Sequence, residues 1–152
     1  MVQDNAIPKK IVHAHLDAES RFRTDLTAGK HQYIADEPKE VDGGNDEGPD
    51  PYDFLLMSLA SCTLMTVKMY ANRKGWEVGN MFLELRHFKT HATDCEEVDN
   101  PPSRIDVIEK ELTIEGELSQ QQLDRLLDIS KKCPVHRTLL SDIRIDSMID
   151  GE

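Results

Sequence analysis

Residues 54–67, FLLMSLASCTLMTV, limit the fold more than any other part of the chain: fourteen residues pass without a charge. The run DPYD at 50–53 opens this segment. Asp50 is a good N-cap residue, and Pro51 suits the first helical position because its φ is fixed and it has no N–H to satisfy. Asp53 follows at the third position, a shorter relative of the capping-box acid. Gly75 is a natural stop, and Arg73 and Lys74 before it complement the negative end of a helix dipole. These signals predict one helix over 51–74, about 36 Å long at 1.5 Å per residue. Its first half is apolar nearly all round, so it must be buried within the molecule or against a second subunit. Fourteen uncharged residues fall short of the roughly 18 that a membrane span needs. A buried helix of a soluble protein is therefore expected.

The segments around it read mostly as strands. Residues 11–18 (IVHAHLDA) alternate, with Val12, Ala14 and Leu16 on one face and His13 and His15 on the other. RFRTDL at 21–26 alternates again, and KHQYIAD at 30–36 supplies a third short strand across a turn at Gly29. The three predict a meander. Residues 36–50 hold seven acids, three glycines and two prolines, and read as a long acidic loop. Strands are predicted over 81–92, with Leu83 and Leu85 opposite Glu84 and Arg86, and over 107–118, with Ile108, Leu112 and Ile114 opposite Glu109, Glu111 and Glu115. An acidic loop around Cys95, closed by Pro101 and Pro102, joins them. A second helix is predicted over 119–133, opened by a Ser119–Gln122 capping box with Leu118 and Leu123 as staple. Cys133 continues its apolar face of Leu123, Leu126, Leu127 and Ser130. Pro134 then stops it, because proline lacks the amide proton and biases the preceding residue away from helical geometry. A last strand is predicted over 142–149, with Ile143, Ile145 and Ile149 on one face. The whole reads as one α+β domain over residues 1–152.

Composition bears on partners. Net charge is −11 and aromatics make up 5% of the chain. So acidic a surface repels phosphate backbones and anionic membranes, and few rings are present for base stacking. Nucleic acid and membrane are not expected partners. The N-terminal MVQDNAIPKK has no apolar run or cleavage pattern of a secretory signal, so a cytoplasmic location is expected. The three cysteines, Cys62, Cys95 and Cys133, then read as reduced thiols, with at most a transient redox pair.

Cys62 lies mid-helix among Ser58, Ser61, Thr63 and Thr66, hydroxyls able to donate to a thiolate. A cysteine in an apolar helix is ordinarily an inert small hydrophobe, and periodicity alone does not separate the two. Cys133, placed at a helix C-terminus, faces the negative end of the dipole, which disfavours a thiolate. Lys131, Lys132, His136 and Arg137 offset that in part. The position suits a resolving thiol better than an attacking one. Cys95, between Asp94 and Glu96, is opposed by like charge and is expected to be dispensable. No Cys-x-x-Cys or His-Glu-x-x-His motif is present, so no metal site is expected. There is no nucleophile elbow and no phosphate-binding glycine loop.

Taken together, DEP…GG…GPDPYDFLLMSLASCTLMTVKMYANRKGW, followed about seventy residues later by LLDISKKCPVHRTL, resembles the OsmC-like superfamily of osmotically induced and organic-hydroperoxide-resistance proteins. The resemblance spans about residues 20–149. It implies an antiparallel sheet wrapped around long central helices in an intertwined homodimer, with sites at the dimer interface. It implies thiol-dependent reduction of organic hydroperoxides, with Cys62 attacking and Cys133 resolving, no cofactor, and a dithiol reductant such as the lipoyl groups used by some relatives. Redox sensing and non-catalytic small-molecule binding are the alternatives on such a fold. The resembled peroxidases place an acid directly after the helix-starting proline and pair it with an N-terminal arginine. Here that position is Tyr52, with Asp53 one residue later. Arg21, Arg23 and Arg137 are candidates for the arginine, with His31 and Lys30 as substitutes.

Overall fold

The computed structural model describes residues 9–91 and 104–151. The expected acidic loop around Cys95 lies outside them. The chain divides into two compact units, the first ending at Leu55 and the second beginning at Leu56.

The first unit contains the meander. Strands β1 (His13–Leu16), β2 (Thr24–Ala28) and β3 (His31–Ala35) form an antiparallel sheet in sequence order. Leu26 is the hinge of the register, opposite Ala14 on one side and Tyr33 on the other. The β2–β3 turn has two residues, with Gly29 first at φ 62°. A positive φ there matches the right-handed twist of the flanking strands. Strand β2 starts later than the alternation at 21–26 predicts. Arg21 pairs with Asp42 at 2.9 Å and lies over the Phe22 ring, so 21–22 are tied to the following loop and not to the sheet.

That loop, residues 36–50, has no regular structure, but it is organised around one carboxylate. Asp36 is 2% exposed. It accepts from the backbone amides of Glu37 (2.8 Å), Glu47 (3.1 Å) and Asn45 (3.2 Å), while its own amide donates to the Pro49 carbonyl. A Cβ on Gly44 would run into the Pro38 carbonyl and one on Gly48 into that of Ile34, so both positions need glycine. Burial acts to raise the Asp36 pKa. The amides of Glu47, Glu37 and Asn45 and the charge of Arg23 outweigh it and hold the carboxyl below its ordinary value. Asp36→Ala should therefore release the loop. We expect amide exchange over 37–47 to accelerate by roughly tenfold or more with the sheet amides unchanged. Equal protection in mutant and wild type would mean the carboxylate does not organise the loop.

Helix α1 spans Pro51–Lys74, with the bounds its caps predict. At its N-terminus the Asp53 amide donates to Asp50 (2.9 Å) and the Asp50 amide to Asp53 (3.2 Å), a capping box made with aspartate. Gly75 ends it at φ 70°, with bonds from Gly75 N to Asn72 O and from Trp76 N to Ala71 O. These are the two bonds of a Schellman cap.

In the second unit α1 buries Leu59, Thr63, Val67, Tyr70 and Ala71. Val67, Tyr70 and Ala71 form one core with Leu126 and Ile129, flanked by Trp76, Val78, Met81, Leu112, Ile114 and Leu118. Strands β4 (Met81–His91) and β5 (Arg104–Ile114) pair antiparallel along their full length. The 107–118 prediction ran too far, because the chain turns out of the strand at Gly116, φ 134°. The α1 helix is also long and apolar enough to cross a membrane, with mean hydropathy 1.4 over its most apolar window. Its fourteen uncharged residues therefore do not by themselves exclude a span. Its packing against Leu126 and Ile129 is that of a helix inside a protein.

Helix α2 (Gln120–Ser130) opens on the expected Ser119–Gln122 capping box. It ends three residues earlier than predicted, and Leu127 is exposed. A third helix, α3 (Pro134–Leu139), stands where a turn was expected. The strand predicted over 142–149 does not form. Ile143 and Ile145 are exposed, Ile145 by 82%, and among the described residues no strand pairs with the segment.

Candidate active site

The second unit brings Cys62, Thr63, Lys110, Cys133 and His136 together. Pro134 decides how. A proline pushes the residue before it into extended geometry, and it is also a good first residue of a helix. Cys133 accordingly has φ −64° and ψ 146° and is the N-cap of α3. This overturns its expected place at the end of a helix. The dipole argument changes sign, because the nearest helix terminus offers amides and not carbonyls.

The Cys133 sulfur is wholly buried, at 0% exposed, and is surrounded by donors. The His136 amide donates to it at 3.3 Å, and Thr63 Oγ1 lies 3.5 Å away. Cys62 is the neighbour of Thr63 on α1. Both thiols are free. Cys62 is half-buried, so it is the more accessible of the two. Burial acts to raise the Cys133 pKa. The hydrogen bonds from Thr63, the His136 amide and Cys62, with the charge of Lys110, outweigh it and bring the thiol below its ordinary value.

Lys110 is the residue the sequence reading missed. It projects from β5 and donates from Nζ to the Ser130 carbonyl (2.9 Å) and to His136 Nδ1 (3.0 Å). Burial pulls its ammonium below the ordinary lysine value, while negative charge on Cys133 pushes it back up. Burial and then the Lys110 charge lower the His136 pKa, so the ring stays neutral and accepts from the ammonium at Nδ1. The signal was present. Lys110 occupies the inward phase of the alternation, between Ile108 and Leu112.

The hydroxyls around Cys62 behave differently from expectation. Ser61 donates to the Ser58 carbonyl and Thr66 to the Cys62 carbonyl, so both bond their own helix. Thr63 Oγ1 does lie at a thiol, and that thiol is Cys133. Three of the expected supporting residues have partners within the first unit. The Asp53 carboxylate caps α1. Arg23 pairs with Asp25 (3.1 Å) and Glu47 (2.8 Å), and Arg21 with Asp42. Tyr52 lies in the first turn of α1 and is exposed. His31 and Lys30 are exposed at the β2–β3 turn, and Arg137 is exposed on α3. Cys95 lies outside the described residues. His13 and His15 are exposed on β1, and His87 Nε2 lies 2.8 Å from Asp106 Oδ1.

The family model for "OsmC-like protein" matches residues 43–148, a span that includes both thiols and Lys110. The chain belongs to the OsmC-like family. Among solved structures this OsmC-like chain is similar to an OsmC-like protein from Mycoplasma pneumoniae (22% identity, 88% of each chain covered, TM-score 0.69). It is also similar to an organic hydroperoxide resistance protein from Legionella pneumophila (16% identity, 88% of this chain and 90% of that one, TM-score 0.63). Another such protein, from Elizabethkingia anophelis, matches at 12% identity (88% and 89% covered, TM-score 0.65). At these identities the likeness is one of fold. No curated protein sequence matches. The mixed α/β architecture with antiparallel sheets and three helices is that of OsmC-like folds.

Proposed function

We propose that the protein reduces organic hydroperoxides by a two-cysteine mechanism in the cytoplasm. Cys62 attacks and becomes a sulfenic acid, Cys133 closes the disulfide, and a dithiol resets the pair by exchange. One observation carries the reading: the buried Cys133 sulfur lies 3.5 Å from Thr63 Oγ1, the neighbour of the half-buried Cys62 on α1, so an accessible thiol and a buried one come from different elements to one place. The accessible one can meet a peroxide, and the buried one can meet only its partner. The organic hydroperoxide resistance proteins among the structural neighbours support the substrate class. Apolar peroxides also gain more than hydrogen peroxide from burying their hydrocarbon part.

The acting form is a homodimer in this reading. Met57, Met65 and Met69 lie exposed along α1, and the alternating segment at 142–149 has strand character without a strand partner. A second copy offers cover for the helix face and an edge for the segment.

Reduced protein given one equivalent of cumene hydroperoxide without oxygen should lose two of its three thiols within seconds to minutes, counted after denaturation. Persistence of all three for hours in excess peroxide would rule out the peroxidase reading.

A further inference from the structure

The geometry points to Lys110 as the positioning residue of the resolving step: we propose that it braces Cys133 from β5 and keeps a fixed positive charge by that sulfur while the thiolate attacks oxidised Cys62. The proposal rests on the peroxidase reading and deepens it. Cys133 stands between two residues that Lys110 holds. Ser130 closes α2 before it, and His136 lies in the first turn of α3 after it. Lys110 Nζ donates to the Ser130 carbonyl at 2.9 Å and to His136 Nδ1 at 3.0 Å, so one ammonium ties both sides of the turn to the strand. The His136 amide in turn donates to the Cys133 sulfur at 3.3 Å. His136 is thus bonded through its ring to the lysine and through its amide to the thiol. Both acceptors of the ammonium are neutral, and any donor would serve them. An apolar side chain would also fill the inward phase between Ile108 and Leu112 without the cost of burying a charge. A cation there matches an anion, and the wholly buried Cys133 sulfur is the group that becomes one. Among the described residues no carboxylate pairs with Lys110, and the negative charge that bears on it is that of the thiolates at Cys133 and Cys62. The other titratable groups around the pair are Cys62 on α1, Lys131 after α2 and His136 on α3. Lys131 is more than half exposed and faces Asp128, so solvent screens it, whereas Lys110 is half-buried.

The step balances. The Cys133 thiolate attacks the sulfur of the Cys62 sulfenic acid. An S–S bond forms, the S–O bond breaks, and hydroxide leaves and becomes water with a proton from solvent. The Cys133 sulfur is oxidised and the Cys62 sulfur reduced by the same amount, so no further oxidant enters. Lys110 keeps its own proton throughout. Its charge raises the fraction of Cys133 present as thiolate. Its two hydrogen bonds hold the turn that sets the sulfur 3.5 Å from Thr63 Oγ1, on the helix that carries Cys62.

The test reads Cys133 directly. With Cys62→Ser and Cys95→Ser in place it is the sole thiol, and its ionisation is followed by ultraviolet thiolate absorbance against the same protein with Cys133→Ser, which cancels the tyrosines. Lys110→Met should raise the titration midpoint by at least about one pH unit, because a nearby opposite charge favours the ionised form. Lys110→Gln, which keeps a donor and loses the charge, should move it in the same direction. Lys110→Arg, which keeps the charge, should return most of the shift. In a chain that retains Cys62 and carries only Cys95→Ser, Lys110→Met should slow disulfide closure after cumene hydroperoxide by about tenfold at pH 7, the loss of thiolate that one unit implies. The dimedone-trappable sulfenic acid should live longer to match, and the difference should shrink as pH rises past both midpoints. An unmoved midpoint in Lys110→Met and Lys110→Gln overturns the proposal and leaves the two-thiol peroxidase standing. If Lys110→Met fails to fold, Lys110→Gln decides alone. A raised midpoint with closure at the wild-type rate overturns it as well. If wild type forms no sulfenic acid while the midpoint still moves, the peroxidase reading is what failed, and the resolving role falls with it.

Discussion

Cys62→Ser should lower organic hydroperoxide consumption by at least about a thousandfold, to the rate without protein. A serine hydroxyl is a negligible fraction alkoxide at neutral pH and makes no stable bond to peroxide oxygen, so the nucleophile is lost outright. The remaining thiol at the site does not substitute. Cys133 is fully buried beneath α1, β5 and α3, and a bulky peroxide has no access to it. The measurement is peroxide loss with dithiothreitol as reductant, at matched protein concentration and with folding checked by circular dichroism. Substantial residual turnover would move the attack to Cys133 or Cys95.

The largest stability effect is expected at Leu126. It is wholly buried at the contact of α2 with Val67, Tyr70 and Ala71 of α1. Leu126→Ala removes three carbons from a packed site and leaves a cavity, which costs about 2–5 kcal/mol. Set against a typical total of about 5–15 kcal/mol, that is a large share. A fall in melting temperature of roughly 10 °C follows for a chain of this size. The same helix leads into Lys131 and then Cys133, so disulfide closure should also slow in the variant. A melting point within 2 °C of wild type, a band set by roughly 2–4 °C per kcal/mol, would show that the site collapses around the smaller side chain.

Local signals were fully legible where one residue type had one meaning. Asp50, Pro51 and Gly75 set both ends of α1, and Ser119 with Gln122 set the start of α2. Pro134 was ambiguous, because the feature that stops one helix also starts the next. Reading only the stop put Cys133 at the wrong pole of a helix. Lys110 was hidden by its charge: its phase along β5 is that of a core residue, but a lysine there is read as solvated until its carbonyl and imidazole acceptors are seen. The pattern at 142–149 states which side chains share a face, but not which strand they meet. The acidic composition of 36–50 could not show that Asp36 gathers three amides.

A disulfide between Cys62 and Cys133 would join points roughly 70 residues apart in the chain. Closing so long a loop removes chain entropy from the denatured ensemble worth about 4 kcal/mol in the loop-closure account. The oxidised protein should therefore melt well above the reduced one. By linkage, the folded protein should hold its disulfide more tightly than its own unfolded chain does. Each catalytic cycle would then swing the molecule between a softer and a stiffer thermodynamic state. The reductant, and not the peroxide, would work against the fold.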